Sequence, residues 1–416
     1  MGKYVITGGN RVSGEVLISG AKNAVLPILA ALPLLEEAEI DNIPFLSDVS
    51  NTIKILENIG IVIKSNGNKV ISKRGALNWE VNSELTNKMR SSILFLGSLL
   101  AVNKEVKIAY PGGCNLGKRP VDLHLWAMEQ LGAEVECNND YIICKAGKLV
   151  GCDINLPYKS VGVTENIILA AVLAEGVTII NNAAREPEID DLCILLNKCG
   201  AKIEGYGSDI IKICGVSKLN FASHSVMPDR IEAATYLCIA AATRGELFVK
   251  NVNKNHIGSV VDVLKKTGCI INDYRNTIYI DAPEKLYSVE SIKTNPYPFF
   301  PTDVQPQMVS VLALSKGRSV IKENIFSARY RHIIELNKMG GNIAIENNNS
   351  FIVNGTDKLI GADVIASDLR GGAALVIAGL AAEGITTIDN IKYMERGYEA
   401  LTSKIVNIGG EIKKIL

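Results

Sequence analysis

Six glycines constrain the fold of this chain more than any other feature. Each follows the end of a helix-like segment and precedes an apolar, alternating run, as in ENIGIVI and EQLGAEV. Helices often end on a residue in the left-handed region, which glycine adopts at little cost. The glycines recur at a spacing of roughly 70 residues, which predicts a chain built from repeated supersecondary units. They are Gly60, Gly132, Gly200, Gly268, Gly340 and Gly409.

The segments around each glycine define the repeated unit. The stretch AKIEGYGSDIIKICG is typical of a strand, a polar turn and a second strand. Alanine-rich segments such as AAEGITTIDNI predict a closely packed helix, a turn and a strand. The unit is therefore β-α-β-α-β-β, and six units predict an α/β protein of two three-repeat domains. We expect one domain at 21–228 and the other at 1–20 plus 229–416, with a ligand cleft between them.

Composition excludes several classes of function. Lysine plus arginine and aspartate plus glutamate both number 44, so charge gives no indication of a nucleic-acid partner. The nine cysteines show no CxxC spacing and mostly lie in apolar runs, which is typical of a reducing compartment. We see neither a signal-peptide pattern in MGKYVITGGN nor an apolar run long enough to cross a bilayer. These patterns predict a cytoplasmic protein.

Each repeat also begins a helix with a polar cluster, and each cluster contains a residue that can cap the helix. Capping does not account for Lys22, Arg90, Arg230 or Arg370, because a cation at a helix N-terminus opposes the helix dipole. We interpret Lys22, Arg90 and Arg370 as binding an anion together with the helix N–H groups. Arg230 is equally compatible with an ion pair to Asp229. The clusters are SGAKNA, NKMRSS, KSVGVTEN, MPDRIEA, FPTDVQP and ASDLRGG.

The segment PGGCNLGKRPVDLH, residues 111–124, combines glycines, one cysteine and a Lys-Arg pair. Glycines allow the backbone to turn and to move. Neighbouring cations stabilise a thiolate, which makes such a cysteine reactive. The segment therefore predicts an active-site lid that carries Cys114 over an anionic substrate. A surface loop with an incidental cysteine is the alternative.

These motifs, with KMRSSI, NAAREPEI, SARYRH and ERGYE, resemble those of the UDP-N-acetylglucosamine 1-carboxyvinyltransferases, a family of enolpyruvyl transferases. The resemblance covers the whole chain, and the combination of PGGCNLG, AAREPE and FPTD is highly specific. It implies the two-domain inverse αβ barrel that is shared with 3-phosphoshikimate enolpyruvyltransferase. The implied reaction transfers the enolpyruvyl group of phosphoenolpyruvate to the 3′-hydroxyl of UDP-N-acetylglucosamine and releases phosphate. This reaction is the first committed step of peptidoglycan synthesis, and so supports cell-wall growth, cell shape and division.

The resemblance also implies roles for individual residues. Cys114 occupies the position of the cysteine that protonates C3 of phosphoenolpyruvate and can form an adduct with it. Asp303 occupies the position of the general base, and Lys22 is the third catalytic position. The implied phosphoenolpyruvate-binding residues are Lys22, Asn23, Arg119 and Arg396. The residues implied to bind UDP-N-acetylglucosamine are Arg90, Arg119, Pro120, Val121, Asp122, Leu123, Ser160, Val161, Gly162, Asp303 and Ile325. Further polar residues of the cleft are Arg329, Asp368 and Arg370.

Some of these positions have simpler interpretations. Asp303 can be a helix N-cap, with or without a catalytic role. Asp368 and Arg370 can form an ion pair with each other. Because the cysteine is present at position 114, the resemblance implies a fosfomycin-sensitive protein. Departures from the family pattern spare the residues with chemical roles, and they are Ser91, Lys118 and Gly371.

Other functions stay open at this point. A 3-phosphoshikimate enolpyruvyltransferase shares the fold and half of the reaction, but sequences typical of its shikimate phosphate site are not visible. A ring-shaped DNA clamp built from repeats needs a basic inner surface, which the balanced charge disfavours. The intact Cys114 and Asp303 argue against a non-catalytic regulatory paralogue. The resemblance implies small-molecule substrates and no metal or other cofactor, and it leaves the oligomeric state undetermined.

Overall fold

The computed structural model describes residues 2–112 and 120–416, and helices alternate with strands along both stretches. The α-helices there are α1 (Lys22–Ala31), α2 (Ser47–Asn58), α3 (Ser83–Thr86), α4 (Phe95–Asn103), α5 (Asp122–Gln130), α6 (Val161–Ala171), α7 (Pro187–Lys198), α8 (Arg230–Thr243), α9 (Gly258–Lys266), α10 (Gln305–Ala313), α11 (Arg331–Lys338), α12 (Leu369–Ala381) and α13 (Leu401–Asn407). Short 3₁₀ helices are Leu32–Leu34, Arg90–Leu94, Lys254–His256, Thr302–Val304 and Ile391–Arg396. None of the helices in these two stretches is long and apolar enough to cross a membrane.

The strands in the same residues are β1 (Lys3–Thr7), β2 (Glu15–Leu17), β3 (Glu37–Asp41), β4 (Ile61–Asn66), β5 (Lys69–Arg74), β6 (Glu105–Ala109), β7 (Glu134–Cys137), β8 (Tyr141–Lys145), β9 (Asp153–Asn155), β10 (Val177–Asn181), β11 (Lys202–Glu204), β12 (Ile210–Cys214), β13 (Ala222–Ser225), β14 (Glu246–Lys250), β15 (Ile270–Tyr274), β16 (Thr277–Asp281), β17 (Leu286–Tyr287), β18 (Ser291–Lys293), β19 (Ser315–Lys316), β20 (Arg318–Lys322), β21 (Asn342–Asn347), β22 (Ser350–Asn354), β23 (Asp363–Ile365), β24 (Ile385–Asp389) and β25 (Glu411–Ile415). The chain forms two compact units. The first unit comprises residues 20–112 and 120–227, and the second comprises residues 2–19 and 228–416.

Three buried helices form the centre of the first unit. Helices α1, α4 and α6 are apolar on almost every side, and α4 packs against both of the others. A helix without a polar face has to be covered all round. Gly97 of α4 allows the backbones of α4 and α6 to lie close together, because a Cβ there would lie 2.4 Å from the carbonyl oxygen of Asn166. The surrounding sheets have the strand orders β13-β3-β5-β4, β6-β8-β7 and β11-β12-β10-β9.

The second unit repeats this arrangement with α8, α10 and α12 at its centre. These helices contact one another, and nearly all of their residues are buried. The main sheets around them have the strand orders β15-β16-β14-β2, β18-β20-β22-β21 and β23-β24-β1-β25. A further small sheet pairs β17 with β19.

The β-α-β-α-β-β unit predicted from the sequence is confirmed. In the repeat around α6, β10 runs parallel to β9 and antiparallel to β12, which in turn pairs with β11. Ile180 of β10 lies opposite Ile154 and Ile211, so one apolar row faces the buried helix. The outer helix α7 buries Ile189, Leu192 and Leu196 on one face. Burial of alternate strand residues and of one helix stripe matches the two apolar periods of the sequence.

Several sheets depart from a simple consecutive repeat. Strand β2 pairs in parallel with β14, and β13 pairs in parallel with β3, so each unit completes a sheet with a strand that is distant in sequence. Strand β1 lies between β24 and β25. The repeat around α4 begins with an isolated bridge between Glu80 and Lys107, where the other repeats have a strand. Pairing between distant segments is not visible in local periodicity.

All six repeat glycines are left-handed, as the sequence predicted. Each directly follows the C-cap residue of an outer helix, where an ordinary side chain would be strained. Their φ angles are 100° at Gly60, 93° at Gly132, 97° at Gly200, 100° at Gly268, 87° at Gly340 and 87° at Gly409.

Substitution of these glycines tests two separate costs of a side chain at a helix end. One is the strain of a positive φ angle, and the other is a steric clash of the added Cβ. Gly340→Ala should lower the free energy of unfolding by about 1 kcal/mol, since φ is 87° but no described atom lies within 4 Å of the added Cβ. Gly60→Ala should cost more, because its Cβ would lie 2.2 Å from the carbonyl oxygen of Ala76. Gly147→Ala, with neither feature, is the control. Urea unfolding midpoints should therefore be highest for Gly147→Ala, lower for Gly340→Ala and lowest for Gly60→Ala. Equal midpoints for all three variants would refute this ranking.

Candidate active site

The second unit holds a carboxylate between two buried arginines. Asp303 lies in the 3₁₀ helix Thr302–Val304, immediately before α10. Its Oδ1 accepts a hydrogen bond from Arg329 Nη1 at 2.8 Å, and its Oδ2 accepts one from Arg370 Nη2 at 3.2 Å. The arginine side chains are 4% and 3% exposed, whereas that of Asp303 is 24% exposed. The carboxylate is therefore the accessible member of this cluster.

The two arginines set the protonation state of Asp303. Burial acts to raise the pKa of this carboxyl, but the charges of Arg370, Arg329 and Arg230 outweigh burial and hold the pKa well below its usual range. Burial likewise acts to lower the pKa of Arg370, and Asp303 more than reverses that effect. Asp303 is consequently ionised at neutral pH. An ionised carboxylate can accept a proton, and arginines of this kind bind anionic oxygens.

A second carboxylate fixes the surroundings of Arg329. Glu323 is 1% exposed, and both of its carboxylate oxygens lie 3.0 Å from Thr302 Oγ1. Thr302 Oγ1 in turn accepts a hydrogen bond from Arg329 Nη1 at 2.8 Å. Glu323 Oε1 also accepts from the backbone N–H groups of Ile325 and Phe326, at 2.8 and 3.1 Å. This carboxylate therefore holds the turn that carries Ile325, which is 38% exposed.

The structure corrects two of the simpler interpretations. Within the described residues, neither the 3₁₀ helix Thr302–Val304 nor α10 has a side-chain cap, so Asp303 is not an N-cap of either helix. Asp368 does cap α12, since its Oδ1 accepts from the N–H groups of Arg370 and Gly371 at 3.0 Å each. The alternative interpretation of Asp368 and Arg370 as an ion pair with each other is wrong as well. Asp368 is occupied by backbone donors, and the Arg370 guanidinium points to Asp303 instead.

The first unit contains a buried ion pair at the beginning of α1. Lys22, the first residue of that helix, lies with its Nζ 2.8 Å from Asp48 Oδ2 at the start of α2. Their side chains are 11% and 4% exposed. Charges removed from water are tightly coupled, so each holds the other in place. Asn23 follows Lys22 and is partly exposed.

Residues of the expected nucleotide-sugar strip come together in the first unit. Arg90 Nη2 donates to the carbonyl oxygen of Pro120 at 2.9 Å. Asn166 of α6 lies 3.1 Å from both Ile93 O and His124 Nδ1, which ties α6 to the segments after Arg90 and to α5. The other expected residues lie at the starts of the two helices, with Val121, Asp122 and Leu123 at α5 and Ser160, Val161 and Gly162 at α6.

Three further expected residues differ in whether the structure describes them. Arg396 ends the 3₁₀ helix Ile391–Arg396 in the second unit. Cys114 and Arg119, which the resemblance places in catalysis and in substrate binding, lie outside the described residues. Their roles therefore stay predictions.

Known relatives match the whole chain. UDP-N-acetylglucosamine 1-carboxyvinyltransferase 2 of Caldanaerobacter subterraneus subsp. tengcongensis is 47% identical over 418 residues and covers 100% of both chains. The enzyme of the same name numbered 1 in Carboxydothermus hydrogenoformans is 45% identical, covering 100% of this chain and 99% of its own. The chain belongs to the UDP-N-acetylglucosamine 1-carboxyvinyltransferase family. A broader family model, described as EPSP synthase (3-phosphoshikimate 1-carboxyvinyltransferase), matches residues 6–405.

Solved structures show the same fold at lower identity. The enolpyruvyl transferase NikO from Streptomyces tendae superposes with a TM-score of 0.90 at 22% identity, covering 99% of this chain and 98% of its own. EPSP synthase from Acinetobacter baumannii gives a TM-score of 0.76 at 20% identity, with 100% of both chains covered. The inverse αβ barrel and the family that the sequence indicated are both confirmed.

Several residues around the Asp303–arginine group and the Lys22–Asp48 ion pair were missed by the sequence analysis. Thr302, His332 and Tyr398 lie within the quoted motifs FPTD, SARYRH and ERGYE, so membership of a motif was an available signal. Asp48 and Glu323 lie in none of these motifs. Only their burial beside a cation or beside several donors reveals them.

His332 is a buried titratable group that is influenced by the charges of Asp368 and Arg329. It is 1% exposed, and neither ring nitrogen has a hydrogen-bond partner among the described residues. Burial lowers the pKa of His332 to about 4; Asp368 acts against this shift and Arg329 adds to it. The imidazole is therefore neutral in the folded protein at neutral pH.

The depressed pKa of His332 predicts a pH dependence of stability. Between the ordinary value of 6.5 and about 4, the unfolded chain binds a proton that the folded protein does not, so stability falls as pH falls. The full loss should be about 3.5 kcal/mol, at roughly 1.4 kcal/mol per pKa unit, and about 2 kcal/mol of it should appear between pH 7 and 5. His332→Gln should flatten this slope. Urea midpoints at pH 7 and 5 test it in both proteins, which share the other three histidines; equal slopes would contradict it.

Proposed function

We propose that this protein transfers the enolpyruvyl group of phosphoenolpyruvate to the 3′-hydroxyl of UDP-N-acetylglucosamine and releases phosphate, a step of peptidoglycan synthesis. The observation that carries the proposal is the ionised, accessible Asp303 between two buried arginines. It occurs in a chain that is 47% identical, over its full length, to a relative named for this activity. The same proposal includes two small-molecule substrates and a cytoplasmic location.

Asp303 supplies the base in this mechanism. Its carboxylate accepts the proton of the sugar hydroxyl while that oxygen bonds to C2 of phosphoenolpyruvate. C3 gains a proton in the same addition, and we assign that proton to the thiol of Cys114. Loss of a proton from C3 and departure of phosphate from C2 then restore the enol double bond. Positioned acid and base groups each contribute about 10²–10⁴-fold in rate.

The cations bind the anionic groups of the substrates in this proposal. Lys22, Arg119 and Arg396, with the amide of Asn23, bind the phosphate and carboxylate of phosphoenolpyruvate. A guanidinium fork matches two oxygens of such a group. Arg90, Pro120 and the segments 121–123 and 160–162 bind the nucleotide sugar, and Ile325 packs against it. Lys22 is held for this role by Asp48.

Substrate-dependent release of phosphate tests the proposed function. The purified full-length protein should release phosphate from phosphoenolpyruvate when UDP-N-acetylglucosamine is added, and not when shikimate 3-phosphate replaces it. Cys114→Ser should abolish most of this release if the thiol donates the proton to C3. Release that depends on shikimate 3-phosphate, or no release with either acceptor, would overturn the proposal.

Asp303→Asn tests the base directly. Turnover should fall by about 10²–10⁴-fold, since the amide cannot accept the hydroxyl proton. The free energy of unfolding should also fall, by about 2–3 kcal/mol, because Arg329 and Arg370 lose their counter-charge; a fully buried pair would lose about 3–5 kcal/mol. If Asp303 served only as a helix cap, Asp303→Asn would leave the free energy of unfolding unchanged, because asparagine caps helices as well as aspartate does.

The exposed Asp357 provides a matched control for this experiment. Asp357→Asn removes the same charge from the same unit at an exposed position, and both turnover and unfolding midpoint should stay unchanged. Steady-state kinetics and urea unfolding measure the two effects. If Asp303→Asn retains most of its turnover, the base is another group.

A further inference from the structure

Tyr398, in the ERGYE motif, has no role in the mechanism above, although its hydroxyl lies at the centre of a buried polar network. The residue is 4% exposed. Its hydroxyl oxygen is 2.9 Å from Thr235 Oγ1 and 3.3 Å from both Gln307 Nε2 and Arg370 Nη1. All three partners are buried. A tyrosine hydroxyl in this position is enclosed by donors and acceptors from three different helices, α8, α10 and α12.

The hydrogen-bonding capacity of this hydroxyl is fully used. Thr235 Oγ1 donates its proton to the carbonyl oxygen of Ile231 at 2.8 Å, so Tyr398 donates to Thr235. Its two acceptor positions then face Arg370 Nη1 and Gln307 Nε2, and the Gln307 amide shares its N–H groups among Tyr398, Thr235 Oγ1 and the Asp303 carbonyl oxygen. Burial raises the pKa of Tyr398, which keeps the hydroxyl protonated for this donation.

Both acceptor contacts lead to Asp303. Arg370 uses Nη1 on the tyrosine and Nη2 on the Asp303 carboxylate, so one planar guanidinium spans the two groups. Gln307 Nε2 also donates to the backbone carbonyl oxygen of Asp303, at 2.8 Å. Movement of the tyrosine hydroxyl would therefore alter both the side chain and the backbone of the proposed base.

The backbone of Tyr398 is tied to Arg396, two residues earlier. The N–H groups of Gly397 and Tyr398 both donate to the carbonyl oxygen of Met394, at 3.0 and 2.9 Å. A Cβ at Gly397 would lie 2.6 Å from Leu369 Cδ2, so this segment packs tightly against the start of α12. Arg396 is thus attached to a segment that has little freedom to shift by itself.

We propose that Tyr398 is a positioning residue that couples the phosphoenolpyruvate-binding Arg396 to the base Asp303, through its hydroxyl contacts with Arg370 and Gln307. The inference rests on the proposed function, since it assumes those roles for Arg396 and Asp303. Tyr398 does not contact the substrates in this proposal. Its effect is to set the position of groups that do, at the precision that a reacting geometry demands.

Removal of one oxygen atom tests the coupling. Tyr398→Phe keeps the ring and leaves Arg370 Nη1 without this acceptor. It should lower kcat by about 10²-fold, the loss expected for a displacement of about 1 Å at a reacting group, and it should raise the KM for phosphoenolpyruvate. Tyr236→Phe is the matched control: Tyr236 is fully buried in α8, and its hydroxyl has no partner among the described residues. That variant should stay within about 3-fold of the wild type.

A double variant separates positioning from general loss of structure. If Tyr398 acts through Asp303, the pair Asp303→Asn plus Tyr398→Phe should be no slower than Asp303→Asn alone, within about 3-fold. Independent, multiplying losses would overturn the proposal, as would wild-type kinetics in Tyr398→Phe. If Tyr398→Phe does not fold, Thr235→Val removes the acceptor of its proton and should give a loss of the same kind. A wild-type protein without UDP-N-acetylglucosamine-dependent phosphate release would refute the proposed function, and the coupling with it; an active wild type with an unaffected Tyr398→Phe would refute the coupling alone.

Discussion

Burial of three helices on all sides is the constraint on which each unit depends. Helices such as α8 and α12 have no polar face, so they are stable only when other helices and sheets surround them. Three sheets provide that cover in each unit, and small residues such as Gly97 let the helices approach one another. The charged side chains of these helices lie toward their N-terminal ends, and the polar groups in mid-helix are uncharged. The charged residues that matter chemically, Lys22 and Asp303 among them, lie at or just before such helix starts.

Buried charge at a helix start is costly unless it is paired, and the pairing explains much of the local structure. Arg370 and Arg329 are almost fully buried, and they share one carboxylate. Each arginine also has a neutral hydroxyl partner: Thr302 for Arg329, and Tyr398 for Arg370. Glu323 and Thr235 then hold those hydroxyls. The result is a layered network in which the charged groups other than Asp303 are almost fully buried and the Asp303 carboxylate is 24% exposed, as the proposed role of this group requires.

The fold alone does not distinguish among enolpyruvyl acceptors. Structures at 22% and 20% identity, one of them an EPSP synthase, share the architecture of this chain. Function resides in the side chains that a fold presents, and the same fold can serve several substrates. The full-length relatives at 47% and 45% identity carry the name of the UDP-N-acetylglucosamine enzyme, which does not favour the shikimate alternative or a DNA clamp. The proposed acceptor therefore depends on this close relationship and on the residues at the helix starts.

The amino-acid sequence by itself determined the repeat, the six left-handed glycines, the apolar helices and the family. Each of these depends on residues close together in the chain, where helix caps, strand alternation and motif order are visible directly. Only the tertiary structure decided which charges pair. Arg370 contacts Asp303 across 67 positions, and Tyr398 contacts Thr235 across 163, while Asp368, two residues from Arg370, caps a helix instead. Hydrogen bonds and buried ion pairs act over a few ångströms in space, so distance along the chain does not predict them.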